Sequence, residues 1–469
     1  MKSMKQTNQY KKDIAPGKQR SYHEIIEYFD ANWSTNTNDT NLSCIKKLDK
    51  ALGSPSTKID TILVTGTNGK SLTMNFTSKL LKEEGLSVGS LYAPHILTYN
   101  ERFSVNNESI SNKQLTEIAN EVITVAETEK LTPSTLELIT LIGLIYFQRK
   151  NIDVALLEMT EGTLSNPATI CSQKITAITR ITPDNTEKVN GLIQETLKII
   201  KPKTWVVSAD QSKLNLQTML DIVKEKEALW AMPIRKLAPL SYPFEQLHGR
   251  CASLAERIAH IYINQIINND TTVVTQSLLT KPKAQRGRPT IEAKKQAKLN
   301  PQKTIAQFWK ETTNTLPGRF QLLDKEKPTI LLDNASNLDA FNNLLLGIRL
   351  LHYQRSLKGL TFVLGLNKND INTESLLKAL RYFFKKTSGQ VIVCPTQSQL
   401  GQASTEQVDL EKITNDLKSM KIKARLAKNF KEAFEVASKT VDDHHGLVVV
   451  TGSSEIISNY WNYKGMKKI

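Results

Sequence analysis

After about residue 52 the chain alternates between two kinds of hydrophobic pattern. Short apolar runs occupy Thr61–Thr65, Ser87–Tyr92, Val154–Glu158, Thr176–Thr179 and Thr204–Ser208. Between them, apolar positions recur every three or four residues, as over Lys113–Ala126 and Ser134–Phe147. Buried strands separated by amphipathic helices predict a mostly parallel sheet covered by helices on both faces. Before this region the pattern predicts helices from Ser21 to about Phe29 and over Ile45–Leu52, with a loop rich in Asn and Thr between them. Residues 240–315 read as helices interrupted by a basic stretch. At Leu316-Pro317-Gly318-Arg319 the alternation restarts. Strands are predicted at Thr329–Leu332, Leu360–Leu364, Gln390–Cys394 and Gly446–Thr451, with helices near Leu338–Leu351, Glu374–Phe384 and Phe430–Ser438. The division expected is a polar, basic tail at 1–20, a central domain at 21–315 and a smaller Rossmann-like α/β domain at 316–469.

The first strand runs directly into Gly66-Thr67-Asn68-Gly69-Lys70-Ser71, and the amphipathic run Thr73–Glu84 follows. A strand that breaks into glycines and then opens a helix frees backbone N–H groups to point at phosphate oxygens. The positive helix end, the Lys70 ammonium and the Ser71 hydroxyl add charge and a Mg²⁺ ligand. The longer form of this motif needs glycine at position 64, where Val64 stands, so the loop is of a shorter type. The expectation is a P-loop domain that binds ATP with Mg²⁺ through Gly66, Thr67, Asn68, Gly69, Lys70 and Ser71.

Composition narrows the setting. With 23% charged and 39% apolar residues the chain is globular rather than disordered. No apolar run approaches the ~20 residues of a membrane span. Residues Met1–Gln6 lack the hydrophobic segment of a secretory signal. Four scattered cysteines form no Cys-x-x-Cys pair, which suggests neither a zinc site nor a disulfide framework. A cytoplasmic location and a monomeric state are expected. The net charge of +16 favours anionic partners such as ATP and polycarboxylates. Its densest stretch, 281–298, contains Arg286-Gly287-Arg288-Pro289, which resembles a minor-groove clamp. A lone tetrapeptide reads better as solvated loop, so nucleic acid is not expected as a partner.

Further segments align in order with one family. Ala93-Pro94-His95-Ile96-Leu97, Asn100-Glu101-Arg102-Phe103 and Ile110-Ser111 follow the phosphate loop; Leu157-Glu158-Met159, Asp184-Asn185-Thr186 and Ile199-Ile200-Lys201-Pro202 come next. Pro317-Gly318-Arg319-Phe320 and Leu332-Asp333-Asn334-Ala335-Ser336-Asn337 complete the set. The chain resembles the folylpolyglutamate and dihydrofolate synthases, within the Mur-type ATP-dependent amide ligases. The resemblance implies that ATP phosphorylates a folate or pteroate carboxylate and that L-glutamate then displaces phosphate to form an amide. It implies Lys70 on the β/γ-phosphates and Ser71, Glu158 and Asn185 as metal ligands. It also implies that Arg319 and Asp333 reach the nucleotide from the second, amino-acid-binding domain. Lys70, Glu158 and Arg319 are the catalytic candidates.

The departures from that pattern define a second reading. Ala93 stands where the family has a metal-binding serine, Asn185 where it has a histidine, and Ser336 where it has another. The family's carbamylated lysine falls at Thr196, and its glycine-rich stretch is reduced to Thr160-Glu161-Gly162-Thr163-Leu164. Lys198, about 200° round a helix from Thr196, is a poor stand-in. Gly-Lys-Ser in place of Gly-Lys-Gly-Ser offers Ser71 as a substitute for the oxygen missing at Ala93. The alternative to an active ligase is therefore a nucleotide-binding relative with impaired or repurposed chemistry.

Overall fold

The structure is a computed structural model that describes residues 18–33, 42–159, 164–182, 193–240, 245–267, 304–312, 316–367, 372–396 and 408–466. The basic stretch 281–298, the segment Asp184–Thr186 and residues 160–163 lie outside the described residues.

Two sheets organise the chain. The first contains β1 (Asp60–Thr65), β2 (Val88–Leu91), β3 (Phe103–Val105), β4 (Glu108–Ser109), β5 (Val154–Glu158), β6 (Gln173–Ile178), β7 (Trp205–Ser208) and β8 (Leu229–Ala231). Their order is β4-β3-β2-β5-β1-β6-β7-β8. All neighbours run parallel except at the β2-β3-β4 edge, which is antiparallel. The chain leaves β1 toward β2 and later crosses β1 to reach β6, so β1 and β5 flank the point where the winding reverses. In open α/β sheets ligands collect at such a switch, beyond the carboxyl ends of the strands. The sequence pattern locates the long central strands but misses β3, β4 and β8. These are only two or three residues long, and their hydrophobic signal is too short to register.

One face of this sheet carries helices Ser43–Ala51, Asn112–Thr128 and Thr135–Arg149. The helices form where the sequence places them because Ser111 and Ser134 close capping boxes with Gln114 and Glu137, satisfying N–H groups the first turn leaves over. The other face is covered by Lys70–Glu83, Glu245–Ile261 and Ile305–Glu311. Trp309, fully buried, packs edge-on to Phe76 of the phosphate-loop helix at 5.5 Å and donates its indole N–H to Glu256 at 2.9 Å.

The second sheet contains β9 (Gln321–Leu323), β10 (Thr329–Asp333), β11 (Leu360–Leu364), β12 (Gln390–Val393), β13 (Lys423–Leu426) and β14 (Leu447–Thr451), in the order β13-β12-β11-β14-β10-β9. Only β9 is antiparallel to its neighbour. Helices Leu338–Gln354, Thr373–Phe384 and Leu410–Ser419 cover one face, and Phe430–Lys439 and Ser454–Tyr463 the other. The lobes meet at Gly318, whose φ of +58° suits glycine and where a Cβ would stand 2.9 Å from both Ile96 of the first lobe and Ile457 of the second. Among the described residues no helix is long and apolar enough to cross a membrane.

Because Trp309 props the phosphate-loop helix, Trp309→Ala should cost about 3–5 kcal/mol. Urea denaturation followed by circular dichroism would measure the loss.

Candidate functional site

The phosphate loop begins where β1 ends. Gly66 has a φ of +115°, and a Cβ there would lie 2.3 Å from Thr179 Oγ1 and 2.8 Å from the Thr179 carbonyl oxygen. Gly69, at +86°, is the residue from which helix Lys70–Glu83 departs. Both positions need glycine, the first for conformation and for space. Thr67 is spent on the scaffold: its hydroxyl donates to the Thr182 carbonyl at 3.2 Å and accepts from the Thr182 N–H at 3.1 Å. Lys70 curls over the loop and donates to the carbonyl oxygens of Gly66 at 2.9 Å and Thr67 at 3.1 Å. Those bonds tie its ammonium to the loop's own carbonyl oxygens.

Glu158 closes the site from the neighbouring strand. The parallel register sets it opposite Val64, two residues before the loop. The carboxylate is 8% exposed and receives the Ser71 hydroxyl, which lies 3.0 and 2.9 Å from its two oxygens, and the Ala93 N–H at 3.2 Å. Burial pushes its pKa up, and Lys70, Arg319 and these two donors pull it back. Burial lowers the pKa of Lys70, with Glu158 opposing the shift and Arg319 adding to it. Arg319 is therefore close enough for its charge to act on both groups from the second lobe.

Asp333, at the end of β10, accepts the Phe320 N–H at 2.7 Å. Burial raises its pKa to about 6, against the pull of the Phe320 and Ala335 N–H groups and of Arg319. In this structure its carboxylate braces the turn that carries Arg319. Asn68 is turned toward the second lobe, where it bonds to Asn337 and Asp339. Sequence reading includes Asn337 in a motif without giving it a role and passes over Asp339. The available signal is an asparagine just before the periodic run from Leu338, the mark of a helix cap.

Oxygen donors suited to a hard divalent cation meet at Ser71 and Glu158. Among the described residues no group of three or more His, Cys, Asp or Glu side chains could hold a metal ion by itself. A cation here would complete its shell with phosphate oxygens and water. Thr196 is fully buried on the short helix 193–198 and its hydroxyl makes no hydrogen bond. Lys198 faces solvent and pairs with Glu195. Asn185 lies outside the described residues.

No family model matches the chain. Dihydrofolate synthase/folylpolyglutamate synthase of Bacillus subtilis is 30% identical over 224 residues, 46% of this chain and 49% of that protein. Mitochondrial folylpolyglutamate synthase of Bos taurus is 24% identical over 436 residues, 83% of this chain and 71% of that protein. Both relatives are named as folylpolyglutamate or dihydrofolate synthases, the family the chain resembles. The chain spans about half, or less, of the length of the first curated relatives it matches. The solved structure of Mycobacterium tuberculosis folylpolyglutamate synthase complexed with ADP superposes with a TM-score of 0.73 at 20% identity, covering 95% of this chain and 98% of that one. The bifunctional synthase from Yersinia pestis, complexed with AMPPNP and Mn ion, gives 0.70 at 19% identity, covering 96% and 100%. These likenesses fix the fold as the one those two structures share, an α/β architecture of two sheet domains.

Gly66→Ala should strain the loop and strike Thr179, abolishing nucleotide binding in a titration with a fluorescent ATP analogue. Asp333 gives a second test. Its pKa is higher folded than unfolded, so its contribution is full below about pH 4 and is lost as pH rises through about 6. Asp333→Asn keeps an acceptor for Phe320, so the fall in melting temperature between pH 4 and 6 should shrink.

Proposed function

We propose that the chain is an ATP-dependent amide ligase that adds L-glutamate to a folate or dihydropteroate carboxylate through an acyl phosphate. The observation that supports this most is the meeting of Lys70, Ser71 and Glu158 at the strand-end switch, with the charge of Arg319 arriving from the other lobe. Phosphates and a carboxylate repel one another, so a ligase needs cations that hold them in contact. In the first step an acceptor carboxylate oxygen attacks the γ-phosphorus and the bond to the ADP oxygen breaks. Lys70 and Arg319 offset the charge that gathers on the transferring group. In the second step the amino nitrogen of glutamate attacks the acyl carbon, phosphate leaves and the nitrogen gives up its proton. Magnesium, when bound with the nucleotide, supplies charge neutralisation, and Ser71, Glu158 and Asn185 are the residues we assign to hold it. We take the second lobe, from residue 316, as the amino-acid-binding one.

A second reading, nucleotide binding without efficient ligation, follows from Ala93, Thr196 and Ser336 in place of expected ligands. The matched relatives are named as synthases, which does not favour it. Purified protein with ATP, Mg²⁺, glutamate and either dihydropteroate or a reduced folate should release phosphate only when both co-substrates are present. Lys70→Ala and Glu158→Gln should each lower kcat by about 10²–10³-fold. ATP binding with no turnover on any pterin substrate would replace the ligase by the second reading. Ser71→Ala should abolish Mg-ATP binding, and an unchanged affinity would remove Ser71 from the metal.

A further inference from the structure

Asn68 sits at the tip of the phosphate loop, yet its side chain belongs to the other lobe. Its Nδ2 donates to Asn337 Oδ1 at 3.0 Å and to Asp339 Oδ2 at 2.8 Å, and its Oδ1 accepts from Asn337 Nδ2 at 2.8 Å. Both N–H donors of the amide and one of the two lone pairs of its oxygen are thereby spent on residues 269 and 271 positions away. What these residues hold is not a loose loop. Asn337 Oδ1 also accepts the Ala340 N–H at 2.9 Å and caps the 17-residue helix Leu338–Gln354. Three residues earlier, the Asn334 N–H donates to the Gly318 carbonyl at 3.1 Å, and Asp333 takes the Phe320 N–H at 2.7 Å. Arg319 lies between those two anchors. A path of hydrogen bonds and short chain segments therefore runs from the tip of the phosphate loop, through Asn337 and the end of β10, to the turn that carries Arg319.

We propose that Asn68 is a positioning residue that acts through Asn337 and Asp339, setting the second lobe, and with it Arg319, against the phosphate loop. This rests on the reading of that loop as a nucleotide site for its purpose, though not for its geometry. On this account the loop holds phosphate with its backbone amides and Lys70, while the Asn68 side chain reports the loop's shape to the opposite lobe. Asp339 adds sign to the contact: a carboxylate within 2.8 Å of the loop's side chain accepts an amide well and disfavours a carboxylate in its place.

Hydrogen–deuterium exchange on the full chain tests this in two arms. Without nucleotide, Asn337→Ala, a change confined to the second lobe, should speed exchange at 66–70 of the first lobe by about fivefold to tenfold, as for one or two lost hydrogen bonds. Asn68→Ala should do the same at 318–320, the double variant should be no faster than either single one, and Asp339→Asn, which keeps an oxygen acceptor, should match the wild type. Faster exchange only at 338–345 in Asn337→Ala, with 66–70 unchanged, would overturn the proposal by reducing Asn337 to a helix cap. In the second arm ATP with Mg²⁺ should protect both 66–71 and 318–320 of the wild type, and only 66–71 of Asn68→Ala. Protection of 318–320 that survives in Asn68→Ala would overturn it as well. Absence of protection at 66–71 in the wild type would instead refute the nucleotide reading, and the nucleotide-free arm would still decide the link.

Discussion

A carboxylate buried at the end of β5 is the constraint from which the site is built. An ionised group so far from water is tolerated only if its oxygens are bonded and its charge is answered. At Glu158 the bonds come from the Ser71 hydroxyl and the Ala93 N–H, and the charge is answered by Lys70 and, from across the lobe boundary, Arg319. Each of these groups is located by a different element: Ser71 by the first turn of the phosphate-loop helix, Ala93 by the segment after β2, Arg319 by the turn before β9. Glu158 thus ties together four pieces of chain: its own strand, the phosphate-loop helix, the segment after β2 and the turn before β9.

The same logic explains how two separately folded sheets come to share a site. The parallel sheets each present their carboxyl strand ends, and the strand-end loops are where backbone N–H groups and short polar side chains are available without breaking a ladder. Gly318, pressed between Ile96 and Ile457, brings the lobes within van der Waals contact. The amide pair Asn68–Asn337 adds direction to that contact, which apolar packing alone does not supply.

Much of this is legible in the chain itself, for identifiable reasons. The phosphate loop could be read because its function needs glycine at two backbone positions and a lysine beside them, a demand on local sequence alone. The central strands could be read because they are buried on both faces and therefore uniformly apolar. β3, β4 and β8 could not, since strands of two or three residues owe their existence to the neighbours they pair with. The bracing role of Asp333 was equally hidden. It depends on Phe320 lying beside β10, a tertiary fact that no spacing in the sequence expresses.

On the proposed function, the sparse donor set near Glu158 would suit a cation held mainly by its nucleotide. Ala93 has no side-chain oxygen, but its N–H already bonds Glu158, so the segment orients the carboxylate where it does not coordinate. A carboxylate fixed in this way would need fewer partners to act as a ligand, because its orientation is already settled. Thr196 points to the same economy. Its buried hydroxyl, without a hydrogen bond, sits with Ile193 and Leu197 in an apolar cluster beside β6 and β7. A lysine at that position would have to bury an ammonium or carry a modification to be tolerated, whereas threonine fills the space at the cost of one unsatisfied hydroxyl. At Ala93 and Thr196 the departures from the family pattern thus fall where a backbone group or packing has taken over.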